Sequence, residues 1–369
     1  MTPIIKWAGG KEKELPYIIQ NAPECFEDYY EPFVGGGSVF MAINASHYYI
    51  NDLSVELKQL YQYIKNQDVV FFDSLMQLCI IWDRAAEYFI SIQEELKSLY
   101  LKYRNGKYCD SDIKIYIDSL CNKSHSKITA ILPLPFSKNK QKLIAEISSS
   151  LYSKMKRMRR IEEKKNILPE KDIFDNLETG IKGAIYTYLR TLYNDNSLSS
   201  IIHCCLFFFI RNYAYSGMFR YNKKGDFNVP YGGIAYNKKS ILPKINYYRS
   251  EELVQHFSNT TISGLDFETF FNSYTPKEDD FIFLDPPYDS EFSTYAQNEF
   301  SHSDHERLAN YLIHHVQCKW LMIIKSTPFI MSLYSNNDNI KISSFEKEYQ
   351  VSFMNRNQKN TTHLIIKNY

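Results

Sequence analysis

With 369 residues, 44% hydrophobic and 23% charged, the chain has globular composition and room for one large domain or two smaller ones. A formal net charge of +1 excludes a protein that grips nucleic acid through overall charge, so any basic surface must be local. The seven cysteines form no CxxC pair, the N-terminus has no signal-peptide core, and no apolar run approaches the ~20 residues that span a bilayer, which points to a reduced, cytoplasmic protein with no membrane segment.

In chain order, Ile4-Ile5-Lys6-Trp7-Ala8-Gly9-Gly10-Lys11 comes first. Its paired glycines allow close approach of backbone to a ligand, and Lys11 opens a helical pattern through Leu15, Ile18 and Ile19. A lysine there opposes the helix dipole, so it reads either as an exposed turn residue or as one that meets an anionic group. Tyr29-Tyr30-Glu31-Pro32-Phe33-Val34-Gly35-Gly36-Gly37-Ser38-Val39-Phe40 reads strand, glycine loop, helix, a turn able to cradle a nucleoside. Tyr48 to Asn51 reads as a second strand ending at Asp52. Asp52 follows Gly35 at close to the roughly 20 residues at which an acid meets ribose in nucleotide folds, and it also suits the start of a helix.

From about residue 66 to 206 the pattern is mostly helical. Phe71 to Tyr103 carries a core-like stripe broken by Asn105-Gly106, Leu132-Pro133-Leu134-Pro135 marks a loop, and helices resume near Lys140 to Glu163 and Asp172 to Tyr193. Lys154, Lys156, Arg157, Arg159, Arg160, Lys164 and Lys165 form a basic cluster that is either a solvated face or a phosphate contact. The segment from Arg211 to Gly233 mixes aromatics, Arg, Asn and Lys around a Lys-Lys-Gly-Asp turn and reads as a hairpin. Its Arg and Asn suit base edges, and its aromatics suit stacking or core packing.

In the last third, Thr261 to Phe267 reads as a strand ending in an acid, Asp266, and Phe281-Ile282-Phe283 as a short buried strand. The latter runs into Leu284-Asp285-Pro286-Pro287-Tyr288. Two prolines end ladder pairing and stiffen the turn, placing a carboxylate, the Pro286 carbonyl and an aromatic face at a strand's C-terminal end. That set suits a planar base with an exocyclic amine, which can donate to Asp285 and to the Pro286 carbonyl under a stacked Tyr288. A helix starts at Asp304, with His305 read as a surface or capping residue. Trp320 to Ile324 reads as a buried strand, and 349–353 with 362–366 as a terminal strand pair. Strands alternating with helices at both ends predict an α/β sheet with a helical insertion.

Together these segments resemble the Dam-like DNA N6-adenine methyltransferases. The matching motifs are WAGGK at Trp7 to Lys11, EPFVGGGSVF at Glu31 to Phe40, Asn51-Asp52, RYN at Arg220 to Asn222, FNVPYG at Phe227 to Gly232, and DPPY at Asp285 to Tyr288. They cover roughly the first 65 residues and everything from about residue 200. The resemblance implies a Rossmann-like class I methyltransferase sheet. Residues 1–65 and 241–369 would form a discontinuous catalytic domain, with 66–240 a mostly helical insertion carrying DNA target recognition on a hairpin near 211–233. It implies S-adenosylmethionine as cofactor, held by Trp7, Lys11, Phe33, Gly35, Gly37, Asp52, Asp266, Phe267 and Asp285. Asp285, Pro286 and Tyr288 would be catalytic, and Lys6, Tyr215, Arg220, Asn222 and Pro230 would touch double-stranded DNA. Lys6 and Arg220 match positions associated with the first guanine of GATC-type sites, which implies GATC or a site beginning GAT. Ser216 stands where the family often carries Asn.

The activity implied is methyl transfer from S-adenosylmethionine to a flipped-out adenine, with a cognate restriction endonuclease as companion if the enzyme serves restriction–modification. The sequence shows no metal-ligand cluster. The same amine chemistry leaves cytosine N4 or an RNA base as alternative targets, and a silent DNA-binding protein is the reading from another class.

Overall fold

The computed structural model describes residues 1–7, 9–195, 197–289, 300–347 and 361–369. They form two compact units, Met1–Asn66 with Tyr248–Tyr369, and Gln67–Tyr247.

The first unit is built on seven strands: β1 (Asp28–Glu31), β2 (His47–Asn51), β3 (Thr260–Ser263), β4 (Phe281–Leu284), β5 (Lys319–Lys325), β6 (Lys341–Lys347) and β7 (Thr361–Lys367). Their order is β3-β2-β1-β4-β5-β7-β6. β3, β2, β1, β4 and β5 pair in parallel, and β7 runs antiparallel between β5 and β6. Every residue of β4 is buried, as is the centre of β5, as parallel strands covered on both faces require. One side of the sheet packs Trp320, Met322, Leu364 and Ile366 against Phe267, Phe270, Leu308 and Leu312 of the covering helices. This is the mixed sheet of the Rossmann-like class I methyltransferase fold.

The topology positions the site. β2 and β3 lie on one side of β1, while β4 and β5 lie on the other. β1 and β4 are neighbours, with Tyr29 opposite Phe281 and Tyr30 opposite Ile282. The strand order therefore reverses between β1 and β4, where an open sheet leaves a crevice beyond its carboxyl ends. The glycine loop leaves β1 there, and the DPPY segment leaves β4 there.

One local expectation changes. No regular helix follows the glycine loop; 34–43 is a chain of turns with bonds such as Met41 N–H to the Gly37 carbonyl at 3.0 Å. Gly37 is left-handed (φ 79°), and the Phe40 carbonyl is engaged by His256 Nε2 at 3.1 Å, so the ladder is not propagated. The strand pairing with β7 is Lys341–Lys347, and the predicted strand at 349–353 lies outside the described residues.

In the second unit, the helix Val69–Arg104 is capped by Asp68, which accepts the Phe71 N–H at 2.8 Å. It buries Leu75, Leu78, Trp82, Phe89, Ile92 and Leu96 and stops at Asn105, before Gly106 with φ 75°. Helices Lys140–Lys164, Glu170–Tyr193 and Ser200–Tyr213 follow, the last so apolar that Leu206 to Ile210 are all buried. Lys156 pairs with Asp110 at 2.6 Å. Arg159 pairs with Glu163 at 3.0 Å and lies over Tyr103, so part of the basic cluster is neutralised within the unit. Among the described residues no helix is long and apolar enough to cross a membrane.

Candidate active site

β4 ends at Leu284 because Pro286 and Pro287 bring no N–H to a ladder. Asp285, 18% exposed, meets the Lys11 ammonium at 2.6 Å. Lys11 is 2% exposed; it also donates to the Tyr288 hydroxyl at 3.1 Å and the Gly9 carbonyl at 2.9 Å, and lies 5.2 Å from the centre of the Tyr288 ring. An ammonium has three donors, and each finds an acceptor here, which makes its burial tolerable. The helix Leu15–Asn21 begins after Lys11, whose carbonyl accepts the Glu14 and Leu15 N–H groups. Of its two readings, meeting an anionic group is the one the structure shows: the group is the Asp285 carboxylate.

The N-terminal segment lies against the glycine loop. Ile4 N–H donates to the Gly36 carbonyl at 3.0 Å, and a Cβ on Gly36 would come within 2.3 Å of the Ile5 carbonyl oxygen. A Cβ on Gly35 (φ 50°) would meet Trp7 Cδ1 at 3.0 Å. Only glycine lets these two backbones approach so closely. Gly35 N–H donates to Asp52 Oδ2 at 3.0 Å and Ser54 N–H to Oδ1 at 2.8 Å. Burial pushes the Asp52 carboxyl up to about 6, against those two amides, which pull it down. Ser54, not Asp52, caps the helix Val55–Lys65. Trp7, Gly35 and Asp52 thus form one contact chain beside β1, and Lys11, Asp285 and Tyr288 another beside β4.

Glu31, at the end of β1, is 2% exposed and accepts the Tyr29 hydroxyl at 2.7 Å. Burial pushes its carboxyl well above the usual range, against the Tyr29 hydroxyl, which pulls it down.

Phe33 and Phe267 come together, their ring centres 6.0 Å apart, and Phe300 touches both at 5.6 and 6.0 Å. Asp266 caps the helix Phe267–Ser273 and pairs at 2.6 Å with Arg307, whose guanidinium lies 4.8 Å over the Phe267 ring. Arg307 and Phe300 carry no signal in the sequence beyond a charged helix start and an isolated aromatic. His305 is not a surface or capping residue: it is 2% exposed, packs on Phe300 at 4.7 Å, bonds the Pro287 carbonyl, and is pushed down to about 4 by burial. Ser301 is the cap of that helix. Asp289 accepts from Thr327 at 3.1 Å and meets His302 Nε2 at 2.6 Å, so the DPPY loop is anchored on its far side too.

Of the predicted DNA contacts, Lys6 is exposed on the first unit. Tyr215, Arg220, Asn222 and Pro230 are all exposed on an irregular hairpin of the second, held by antiparallel bridges Ala214–Tyr231 and Tyr221–Phe227. Arg220 Nε donates to Asn228 Oδ1 at 3.0 Å. Asn222 builds the turn instead: its oxygen accepts from Lys224 and Asp226 N–H, and its amide meets Asp226 Oδ2. Ser216 is left-handed (φ 55°), where Asn is better tolerated than Ser. An open cavity of about 850 Å³ in this unit, lined by Lys142, Arg190 and Asn222 among others, contains none of the DPPY or glycine-loop residues.

A family model described as D12 class N6 adenine-specific DNA methyltransferase matches residues 7–125 and 129–352. The Type II methyltransferase M.CviBI of Paramecium bursaria Chlorella virus NC1A is 32% identical over 211 residues, covering 53% of this chain and 76% of that protein. The Type II methyltransferase M.MjaIII of Methanocaldococcus jannaschii is 25% identical over 324 residues, 84% of this chain and 78% of that one. The DNA adenine methylase of Escherichia coli K12 is 22% identical over 314 residues, 83% and 73% respectively. The family match runs through the glycine loop, the hairpin near 211–233 and the DPPY loop, and the chain belongs to the D12 class of N6 adenine-specific DNA methyltransferases.

Proposed function

We propose that the chain methylates N6 of an adenine flipped out of double-stranded DNA, in GATC or a site beginning GAT, with S-adenosylmethionine as donor. The observation that carries this reading is the convergence of the Asp285 carboxylate, the buried Lys11 ammonium and the Tyr288 hydroxyl at the switch point of the sheet.

The residues present fit the cofactor. Phe33, Phe267 and Phe300 offer an aromatic wall for a purine, Asp52 offers lone pairs to ribose hydroxyls, and Gly35 and Gly37 let Trp7 and Tyr61 pack directly on the loop that carries them. When bound, S-adenosylmethionine supplies a methyl group on a sulfonium, an electrophile awaiting a nucleophile. Adenine N6 is a poor one, because its lone pair is delocalised into the ring. Asp285 and the Pro286 carbonyl each accept a hydrogen bond from one amino N–H, which draws N6 toward tetrahedral geometry and stabilises the positive charge that develops on it as the methyl leaves sulfur. Tyr288 stacks on the base. Its hydroxyl and the Asp285 carboxylate are both tied to Lys11, so acid and ring are oriented together. Flipping costs a few kcal/mol, offset by groove and stacking contacts. In this reading the unit Gln67–Tyr247 carries target recognition, with Arg220 reading the first guanine and Tyr215, Asn222 and Pro230 as its further DNA contacts, and Lys6 of the other unit also touches DNA. Two relatives are named Type II methyltransferases, which supports a cognate restriction endonuclease as companion.

Sequencing modified positions in DNA from cells that express the chain tests the reading. N6-methyladenine within GAT-containing sites is expected. N4-methylcytosine, or DNA binding without modification, would overturn it.

Asp52 adds a pH dependence. Its folded carboxyl titrates near 6, above its ordinary range, so it is ionised at pH 7.5 and protonated at pH 5. A protonated Asp52 has fewer lone pairs for ribose while still facing Gly35 and Ser54. Calorimetric affinity for S-adenosylmethionine is expected to fall as pH drops through 6. Asp52→Asn should bind weakly with a flat profile over that window, and an unchanged slope in Asp52→Asn would assign the dependence elsewhere. The sign for stability is opposite: a raised carboxyl costs folding free energy above its folded pKa, and that cost disappears as pH falls toward 4.

A further inference from the structure

We propose that His363 is a positioning residue for methyl transfer, acting through the Tyr288 hydroxyl. The proposal rests on the reading that Tyr288 stacks on the target base. His363 is 0% exposed and lies on β7, opposite Lys325 of β5 and Phe345 of β6. Its Nε2 is 3.2 Å from the Tyr288 hydroxyl, and the two rings meet edge to face at 5.5 Å. The same hydroxyl accepts from Lys11 at 3.1 Å. A phenol has one proton to give and two lone pairs. With one lone pair on Lys11, the hydroxyl either donates its proton to Nε2 or accepts a second N–H from it, according to the imidazole tautomer.

Either way the ring is tethered at its far end by two groups remote in sequence, one from the N-terminal segment and one from the last strand. A tyrosine held only at Cα can swing about its side-chain torsions. One held also at its oxygen keeps its plane, and the plane is what a stacked base must match. A buried imidazole is also costly unless its nitrogens are satisfied, so an apolar residue would serve the sheet at least as well if packing were its whole role.

A double-mutant cycle tests this, read by single-turnover methylation of adenine DNA with both substrates saturating, alongside calorimetric affinity for S-adenosylmethionine. The variants are His363→Phe, which keeps ring volume and removes both nitrogens, His363→Gln, which keeps a polar group, Tyr288→Phe, and the His363→Phe/Tyr288→Phe pair. His363→Phe is expected to slow the step about tenfold, the worth of one well-placed hydrogen bond, with cofactor affinity within about twofold of wild type. His363→Gln should recover most of the rate, and His363→Phe should cost nothing further once Tyr288 has lost its hydroxyl.

A wild-type rate in His363→Phe, an undiminished loss in the Tyr288→Phe background, or a loss confined to cofactor affinity would each overturn the proposal. Should His363→Phe not fold, His363→Asn, with an amide too short to reach the hydroxyl, takes its place in the same cycle. A wild-type protein that transfers no methyl to adenine would instead overturn the reading of the whole site. Tyr288→Phe equal to wild type beside an impaired His363→Phe would sink this proposal alone.

Discussion

Replacing Asp285 by Ala should reduce single-turnover methylation of adenine by at least about 10²–10³-fold, the loss usual for removing one preorganised electrostatic partner of a transition state. The carboxylate has two tasks that no neighbour can take over. It accepts a hydrogen bond from the amino group of the base, and it holds the Lys11 ammonium at 2.6 Å. Glu31 cannot substitute, because it is buried and already accepts from Tyr29. Asp285→Asn separates the two tasks: the amide oxygen can still accept a hydrogen bond, but the charge facing the developing cation on N6 is lost. An intermediate defect is expected in kcat, with a smaller change in KM for DNA. Adenine methylation near the normal rate in Asp285→Ala would remove Asp285 from the mechanism.

Much of this site was legible because its motifs are local. Asp285 and Tyr288 stand beside each other, and two prolines after a four-residue apolar strand announce a strand end. The glycine loop announces a close approach, and Trp7 and Ile5 are what approach it. What stayed hidden depends on partners far apart in sequence. His363 sits in Thr-Thr-His-Leu-Ile-Ile-Lys, which reads only as a strand, and its contact with Tyr288 spans 75 residues. Arg307 looked like one charge in a polar helix start, yet it pins Asp266 and covers Phe267. A charged helix start suggests solvent for His305, but the side chain packs on Phe300 and bonds the Pro287 carbonyl, partners its own segment does not announce. The absent helix after Gly37 has the same origin: His256, more than 200 residues downstream, takes the Phe40 carbonyl that a helix would need. Asn222 adds a local demand that residue type alone does not show: its oxygen accepts two N–H groups of its own turn.

Lys11→Met should be nearly as damaging as the loss of Asp285, for a different reason. Methionine has the length of the lysine stem and suits a site only 2% exposed, so the fold should survive. What disappears is the one nitrogen that touches Asp285, the Tyr288 hydroxyl and the Gly9 carbonyl at 2.6, 3.1 and 2.9 Å. Removing one partner of a buried ion pair strands the other, at a cost of about 3 kcal/mol; Asp285 keeps some solvent contact, which favours the low end of the range. Denaturant unfolding should register that loss, while activity should fall by about 10²-fold or more because acid and ring lose their common anchor. Lys11→Arg should not restore it. A planar guanidinium spreads its donors over a wide fork, whereas the three acceptors here surround a single point. Full activity in Lys11→Arg would mean that the positive charge alone suffices and that the geometry around Lys11 is not what orients Asp285 and Tyr288.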